Sequence, residues 1–158
     1  EMTSSLVGSE MCIRDSFIDV DDFKFINDRF GHSVGDEVIK YVAGCIKQRV
    51  KGSGFAGRFG GDEFVLCITD PKQIEEIESL SLDLIDELYE GYHSELANVS
   101  INVKASIGIA FYPEHGDDSN KVVAAADEAM YFVKKNGKAN YHIYQPEDSE
   151  MEDLQHTL

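Results

Sequence analysis

The stretch Arg58-Phe59-Gly60-Gly61-Asp62-Glu63-Phe64 lies between two apolar runs, Phe55-Ala56 before it and Phe64-Val65-Leu66-Cys67-Ile68 after it. Two glycines between short apolar runs predict a tight hairpin, because glycine takes a positive φ without steric cost. The hairpin then ends in two carboxylates, Asp62 and Glu63, held at a turn. Paired acids on a rigid tip suit metal binding or proton abstraction. The plainer reading of the same letters is a polar turn between two strands.

Working outward, Phe17-Ile18-Asp19-Val20 reads as the stub of a buried strand. Its acid, Asp19, is costly in an apolar strand unless paired or metal-bound. Phe23, Ile26 and Phe30 fall on one face of a short helix that Gly31 stops. A second helix is expected after Gly35-Asp36, with Val38, Val42, Cys45, Ile46 and Val50 as its apolar stripe. Past the hairpin, Asp70-Pro71 supplies an N-cap acid and a proline at the first helical position. Ile74, Ile77, Leu80, Leu84 and Leu88 line that helix. Val99 to Phe111 alternates so regularly that one long strand with one well-buried face is expected. Ser119 to Asn136 forms the last helix, closed by Gly137, and Tyr141 to Tyr144 a short final strand. The order predicts an α/β fold, an α+β sandwich whose mixed, largely antiparallel central sheet is covered by helices.

Composition bounds the function. The 158 residues suit one domain with a single core. The net charge is −16, of which five charges lie in a tail with no Lys or Arg after Pro146. Such a surface repels nucleic-acid backbones and anionic lipid, so neither is an expected partner. No apolar run approaches the roughly 20 residues needed to span a bilayer. No secretory signal is visible, and Cys45 and Cys67 read as reduced core residues, so a cytoplasmic location is expected. The acidic residues 146–158 are expected to be disordered. At the other end, Glu10-Met11-Cys12-Ile13-Arg14-Asp15-Ser16 has no helix or strand period and resembles the in-frame translation of a transposon-end adapter used in sequencing. Residues 1–16 are therefore expected to be a non-native stretch, the alternative being an ordinary disordered N-terminus.

Asp19 to Asp36 fits the pattern acid, x, acid, x-x, Phe-Lys, x, Ile-Asn-Asp, x-x, Gly-His, x-x, Gly-Asp. With Gly60-Gly61-Asp62-Glu63-Phe64, and with Ala126-Asp127-Glu128-Ala129-Met130-Tyr131 followed by Lys134 and Gly137, the chain resembles the GGDEF domain, the diguanylate cyclase family. The resemblance covers residues 17–145 and implies a fold related to nucleotide-cyclase and polymerase palm domains. It also marks the chain as N-terminally truncated relative to the family, with an upstream sensory domain and a membrane tether as features of full-length relatives.

The resemblance implies an activity: two GTP condensed to cyclic di-GMP with release of pyrophosphate, at a homodimer interface where each protomer holds one GTP. It implies two Mg²⁺ (or Mn²⁺) per site, held by Asp19, the Val20 carbonyl and Asp62, with Asp62 and Glu63 as the catalytic acids. Phe23, Lys24, Asn27, Asp36, Lys134 and Lys138 match positions that bind GTP, with Asn27 and Asp36 at the guanine and the lysines at the phosphates. Plainer readings stand beside these: Lys24 as a solvated lysine, Asn27 as a helix-surface residue, Asp36 as a helix N-cap. Lys134 and Lys138 are expected at i, i+4 on one helix face. Lys138-Ala139 departs from the family's usual Arg-Asn, and a lysine lacks arginine's bidentate geometry. Lys51-Gly52-Ser53-Gly54 stands where many relatives carry an Arg-x-x-Asp product-inhibition site and has neither residue. The alternative function is a catalytically weak or inactive GGDEF-like module that binds GTP or scaffolds a partner.

Overall fold

The first strand is the central one. In the computed structural model, which describes residues 13–153, β1 (Ile13–Val20) pairs antiparallel with β3 (Glu63–Ile68) on one side and with β6 (Ala105–Tyr112) on the other. β2 (Gly54–Arg58) lies antiparallel outside β3, and β7 (Tyr141–Ile143) lies parallel outside β6. The order β2-β3-β1-β6-β7 is the mixed, mostly antiparallel sheet that the sequence predicts.

Alternation along the strands divides the core in two. Ile18 and Val20 of β1, with Ile107 and Ile109 of β6, pack against α2 (His32–Val50) and α4 (Ile77–Glu90) through Val42, Ile46, Leu84 and Leu88. Phe17 and Ala110 face the other way, onto Val122, Ala126 and Met130 of α5 (Ser119–Lys135). Contact on that side is close enough to demand glycine. A Cβ on Gly108 would stand 1.9 Å from the Ala126 carbonyl oxygen and 2.3 Å from the Met130 nitrogen. β6 is consequently buried on both faces over most of its length, where the sequence predicts one buried face.

Several boundaries differ from expectation. Residues 1–12 of the expected non-native stretch lie outside the described residues, but Ile13 to Ser16 form the first half of β1. Main-chain pairing with β3 and β6 needs no side-chain pattern, so a strand forms on letters that show no period. The Val99 to Phe111 run is two strands. β5 (Val99–Ile101) forms a separate hairpin with β4 (Tyr92–Ser94), and the chain then crosses to β6. The Val103 N–H donates to the Leu88 carbonyl at 3.1 Å in this crossing, so the alternation continues while the pairing changes.

The helix expected from Asp70 is broken into α3 (Pro71–Ile74) and α4, with the Asp70 carboxylate accepting from the Lys72 N–H as predicted. The tail expected to be disordered begins with α6 (Pro146–Asp153), where buried Asp148 accepts from His142 and from the Gln145 N–H. Residues 154–158 lie outside the described residues. Among the described residues, no helix is long and apolar enough to cross a membrane.

Candidate active site

Register brings the predicted acids together. Asp19 pairs with Glu63 across β1–β3 and with Ser106 across β1–β6, so the three side chains form a row at one end of the sheet, on the face that α5 covers. The Val20 N–H donates to the Asp62 carbonyl at 3.1 Å, tying the hairpin tip to the end of β1. Phe64 anchors the hairpin from beneath, buried in the opposite core layer.

The turn itself is built differently from the prediction. Neither Gly60 nor Gly61 is among the described glycines with positive φ. Arg58, a motif residue to which the sequence assigns no role, holds the turn with its guanidinium. Nε donates to the Gly60 and Gly61 carbonyls at 3.1 and 3.0 Å, and Nη2 to the Gly61 carbonyl at 2.6 Å. A Cβ on Gly61 would meet nothing within 4 Å, so internal packing does not demand glycine there.

Above the acid row, α5 supplies a cation. Lys134 Nζ donates to Asp19 Oδ1 at 2.9 Å and to Asp21 Oδ1 at 2.6 Å. Asp21, which sequence reasoning passed over, is the hub. Its fully buried carboxylate also accepts from Ser106 Oγ at 2.7 Å and from the Ala139 N–H at 3.0 Å. Asp19 is desolvated, which raises its carboxyl above the usual range despite the hydrogen bond from Lys134. Glu63 is raised by the same cause, aided by the charges of Asp19, Asp62 and Asp127. Asp127 lies on α5 two turns before Lys134, and its influence on Glu63 could be found only from the fold. Burial works against the Lys134 ammonium, but its hydrogen bonds to Asp21 and Asp19 keep its pKa above the ordinary value.

The remaining predicted residues lie around the β1–α1 loop. Asp22 has φ 54°, and α1 (Phe23–Phe30) starts directly after it with Phe23 half-buried and Lys24 exposed. Lys138 is not on a helix face with Lys134. α5 ends at Lys135, and Gly137 closes it with φ 104° while the Lys138 N–H reaches back to the Val133 carbonyl. Lys138 Nζ pairs with Asp22 at 2.7 Å instead. Asp36 is not an N-cap either. α2 already begins at His32, so Gly35 and Asp36 sit inside it, Gly35 buried and Asp36 exposed.

Asp19 and Asp62 are hard oxygen donors at the same sheet end, a donor set suited to Mg²⁺. No group of three or more His, Cys, Asp or Glu forms a metal cage among the described residues. Mg²⁺ is commonly held by one or two carboxylates, with substrate phosphates and water completing its shell. Asp19 already has a cation beside it, the Lys134 ammonium.

Residues 12–140 match the family described as diguanylate cyclase, GGDEF domain. The chain is 34% identical over 129 residues to the bifunctional diguanylate cyclase/cyclic di-GMP phosphodiesterase MucR of Pseudomonas aeruginosa, with 82% of this chain and 18% of MucR covered. It is 34% identical over 128 residues to the diguanylate cyclase DosC of Escherichia coli, covering 80% of this chain and 27% of DosC. The chain thus spans about a quarter or less of these curated relatives. Among solved structures, the GGDEF domain of TpbB (YfiN) from Pseudomonas aeruginosa superposes with a TM-score of 0.85 at 29% identity, covering 90% of this chain and 83% of that one.

Proposed function

The chain belongs to the GGDEF-domain family, and on that premise we propose that it is a diguanylate cyclase that condenses two GTP into cyclic di-GMP and two pyrophosphates. The observation that carries this reading is the Asp19–Glu63 pair beside the hairpin tip, with Lys134 2.9 Å from Asp19. A module that had lost catalysis would have little use for a desolvated acid pair at such cost.

Asp19, the Val20 carbonyl and Asp62 would hold the divalent cations, Mg²⁺ or Mn²⁺, two per site. Such ions would supply positive charge against that developing on the α-phosphate oxygens and on the departing pyrophosphate. Asp62 and Glu63 orient the ribose 3′-hydroxyl and receive its proton. Burial and the charges of the neighbouring carboxylates raise the Glu63 carboxyl above the usual range. The 3′-oxygen forms a bond to the α-phosphorus of the second GTP as the bond to the β-phosphate oxygen breaks. The reciprocal attack closes the ring. Lys24, Lys134 and Lys138 bind the terminal phosphates beside Phe23, with Lys138 exchanging Asp22 for phosphate oxygen. Asn27 and Asp36 read guanine, an amide and a carboxylate facing its hydrogen-bonding edge.

Each protomer holds one GTP, so the working site is a homodimer of facing chains. In the longer protein, an upstream sensory domain sets that encounter, and the domain itself works in the cytoplasm without nucleic-acid or membrane contact.

The test is incubation of the chain at high concentration with GTP and Mg²⁺, read by mass spectrometry. Cyclic di-GMP that disappears with Asp62→Ala supports the cyclase. GTP binding that persists without product, in both the original chain and one with residues 1–16 replaced by a relative's strand, favours a binding module instead.

A further inference from the structure

Gly35 has no backbone reason to be glycine. It lies in the first turns of α2 without a positive φ, where alanine would favour the helix by about 1 kcal/mol. The second glycine of this helix, Gly44, has open space around it, since a Cβ there would meet nothing within 4 Å. At Gly35 the space is taken by α1. A Cβ would stand 1.8 Å from Asn27 Oδ1, 2.9 Å from Asn27 Cγ and 3.2 Å from Phe23 Cζ. The two helices meet across Gly31, whose N–H donates to the Asn27 carbonyl at 2.8 Å while its own carbonyl accepts from the Gly35 N–H at 3.1 Å. The Asn27 amide therefore packs against the main chain of α2 at Gly35, the residue next to Asp36. Among the described residues, its side chain makes no hydrogen bond that would hold it there.

We propose that Gly35 is a positioning residue for base recognition: its missing side chain is the seat that holds the Asn27 amide beside Asp36, and so sets the preference for guanine over adenine. This rests on the guanine-reading role of Asn27 and Asp36 in the proposed function. A methyl group at position 35 must turn Asn27 to another rotamer, because Asn27 Oδ1 and the new carbon cannot share 1.8 Å. The amide then faces away from Asp36, and a purine edge that both should meet loses one partner. Adenine, which the pair does not fit, loses nothing.

The experiment is a double-mutant cycle on the whole chain with Asn27→Ala, Gly35→Ala and the double variant, and with Gly44→Ala as the same change in open space. The ligands are α,β-methylene GTP, whose α–β bridge cannot be cleaved, and its ATP counterpart, measured by calorimetry. Melting temperature is recorded without nucleotide. Asn27→Ala and Gly35→Ala should each weaken the GTP analogue about tenfold. The double variant should be no weaker than Asn27→Ala alone, and the ATP analogue should be unaffected throughout. Gly35→Ala should lower the melting temperature of the wild type but not of Asn27→Ala, and Gly44→Ala should leave nucleotide binding unchanged.

Losses that multiply in the double variant overturn the proposal, as does equal weakening of both nucleotides or a Gly35→Ala variant that binds like wild type. The melting readout separates the two levels. Coupled melting shifts in a chain that never preferred the GTP analogue would retain the seat and refute both the guanine reading and the specificity built on it. Uncoupled melting shifts in a chain that does prefer it would refute the seat alone.

Discussion

The Lys134 ammonium lies 2.6 Å from Asp21 Oδ1, and the same carboxylate is bonded to β6 through Ser106 and to the turn after α5 through Ala139. One buried acid thus ties two segments and one cation to the end of β1. Asp21→Asn removes the charge and leaves Lys134 with Asp19 alone. Breaking a buried pair by removing one partner costs about 3 to 5 kcal/mol, and the part-exposed lysine here brings the expected loss to roughly 2 to 4. Urea unfolding of the variant measures it. A loss under about 0.5 kcal/mol would reduce Asp21 to an ordinary surface acid.

A second acid predicts a pH dependence. Asp15 is buried in β1 opposite Cys67, and desolvation raises its carboxyl above the usual 3.8 more strongly than the Cys67 hydrogen bond lowers it. The folded state therefore holds this proton more tightly than the unfolded chain does. The stabilisation is complete below the unfolded value and is lost as pH rises through the raised folded one. Asp15→Asn lacks that loss. Its stability relative to wild type should rise as pH increases above about 4, as followed by urea midpoints. A constant difference across that range would show that Asp15 does not titrate abnormally.

Beside it, Ser16 is almost wholly buried, and among the described residues its Oγ has no hydrogen-bond partner. It lines a small void with Ile18, Leu66, Leu84 and Ile107. An unsatisfied hydroxyl and an unfilled gap at one position have one remedy. Ser16→Val should raise stability by about 1 to 2 kcal/mol, seen as a higher denaturation midpoint with unchanged slope. No gain would mean that water fills the void and satisfies the hydroxyl.

The turn between α2 and β2 gives the fourth expectation. Lys51-Gly52-Ser53-Gly54 presents neither the arginine nor the aspartate of the family's inhibitory site, and buried Ser53 spends its carbonyl on the Thr69 N–H and hydroxyl. Calorimetry should show no submicromolar cyclic di-GMP binding there. Such binding, abolished by substitutions at Lys51, would contradict it.

Asp19, Asp62 and Glu63 were legible in the sequence because their motif letters are local and strand register needs only alternation. Four other features were not legible in this way. Asp21 has no pattern of its own, and its role depends on Ser106 and Lys134, residues far along the chain. Lys138 was placed on a helix face by its i, i+4 spacing from Lys134 alone, whereas α5 ends at Lys135 and Gly137 turns the chain away before Lys138. The break between β5 and β6 leaves the apolar rhythm intact, since the crossing keeps the side-chain faces and changes only the backbone partners. Gly35 looked like the turn before a helix; only the position of Asn27 explains it.

The central place of β1 also affects how the chain is made. Val20 pairs with Ala105 and Arg14 with Phe111, so β1, synthesised before the other described strands, receives its second neighbour only after most of the domain has been made. Until then one edge of β1 stays open, with Ile18 uncovered on that side. Pairings this distant make folding slow and keep the nascent chain exposed to misassembly. A fragment ending before Tyr112 cannot complete the sheet, so the domain should become protease-resistant late in translation and in a single step.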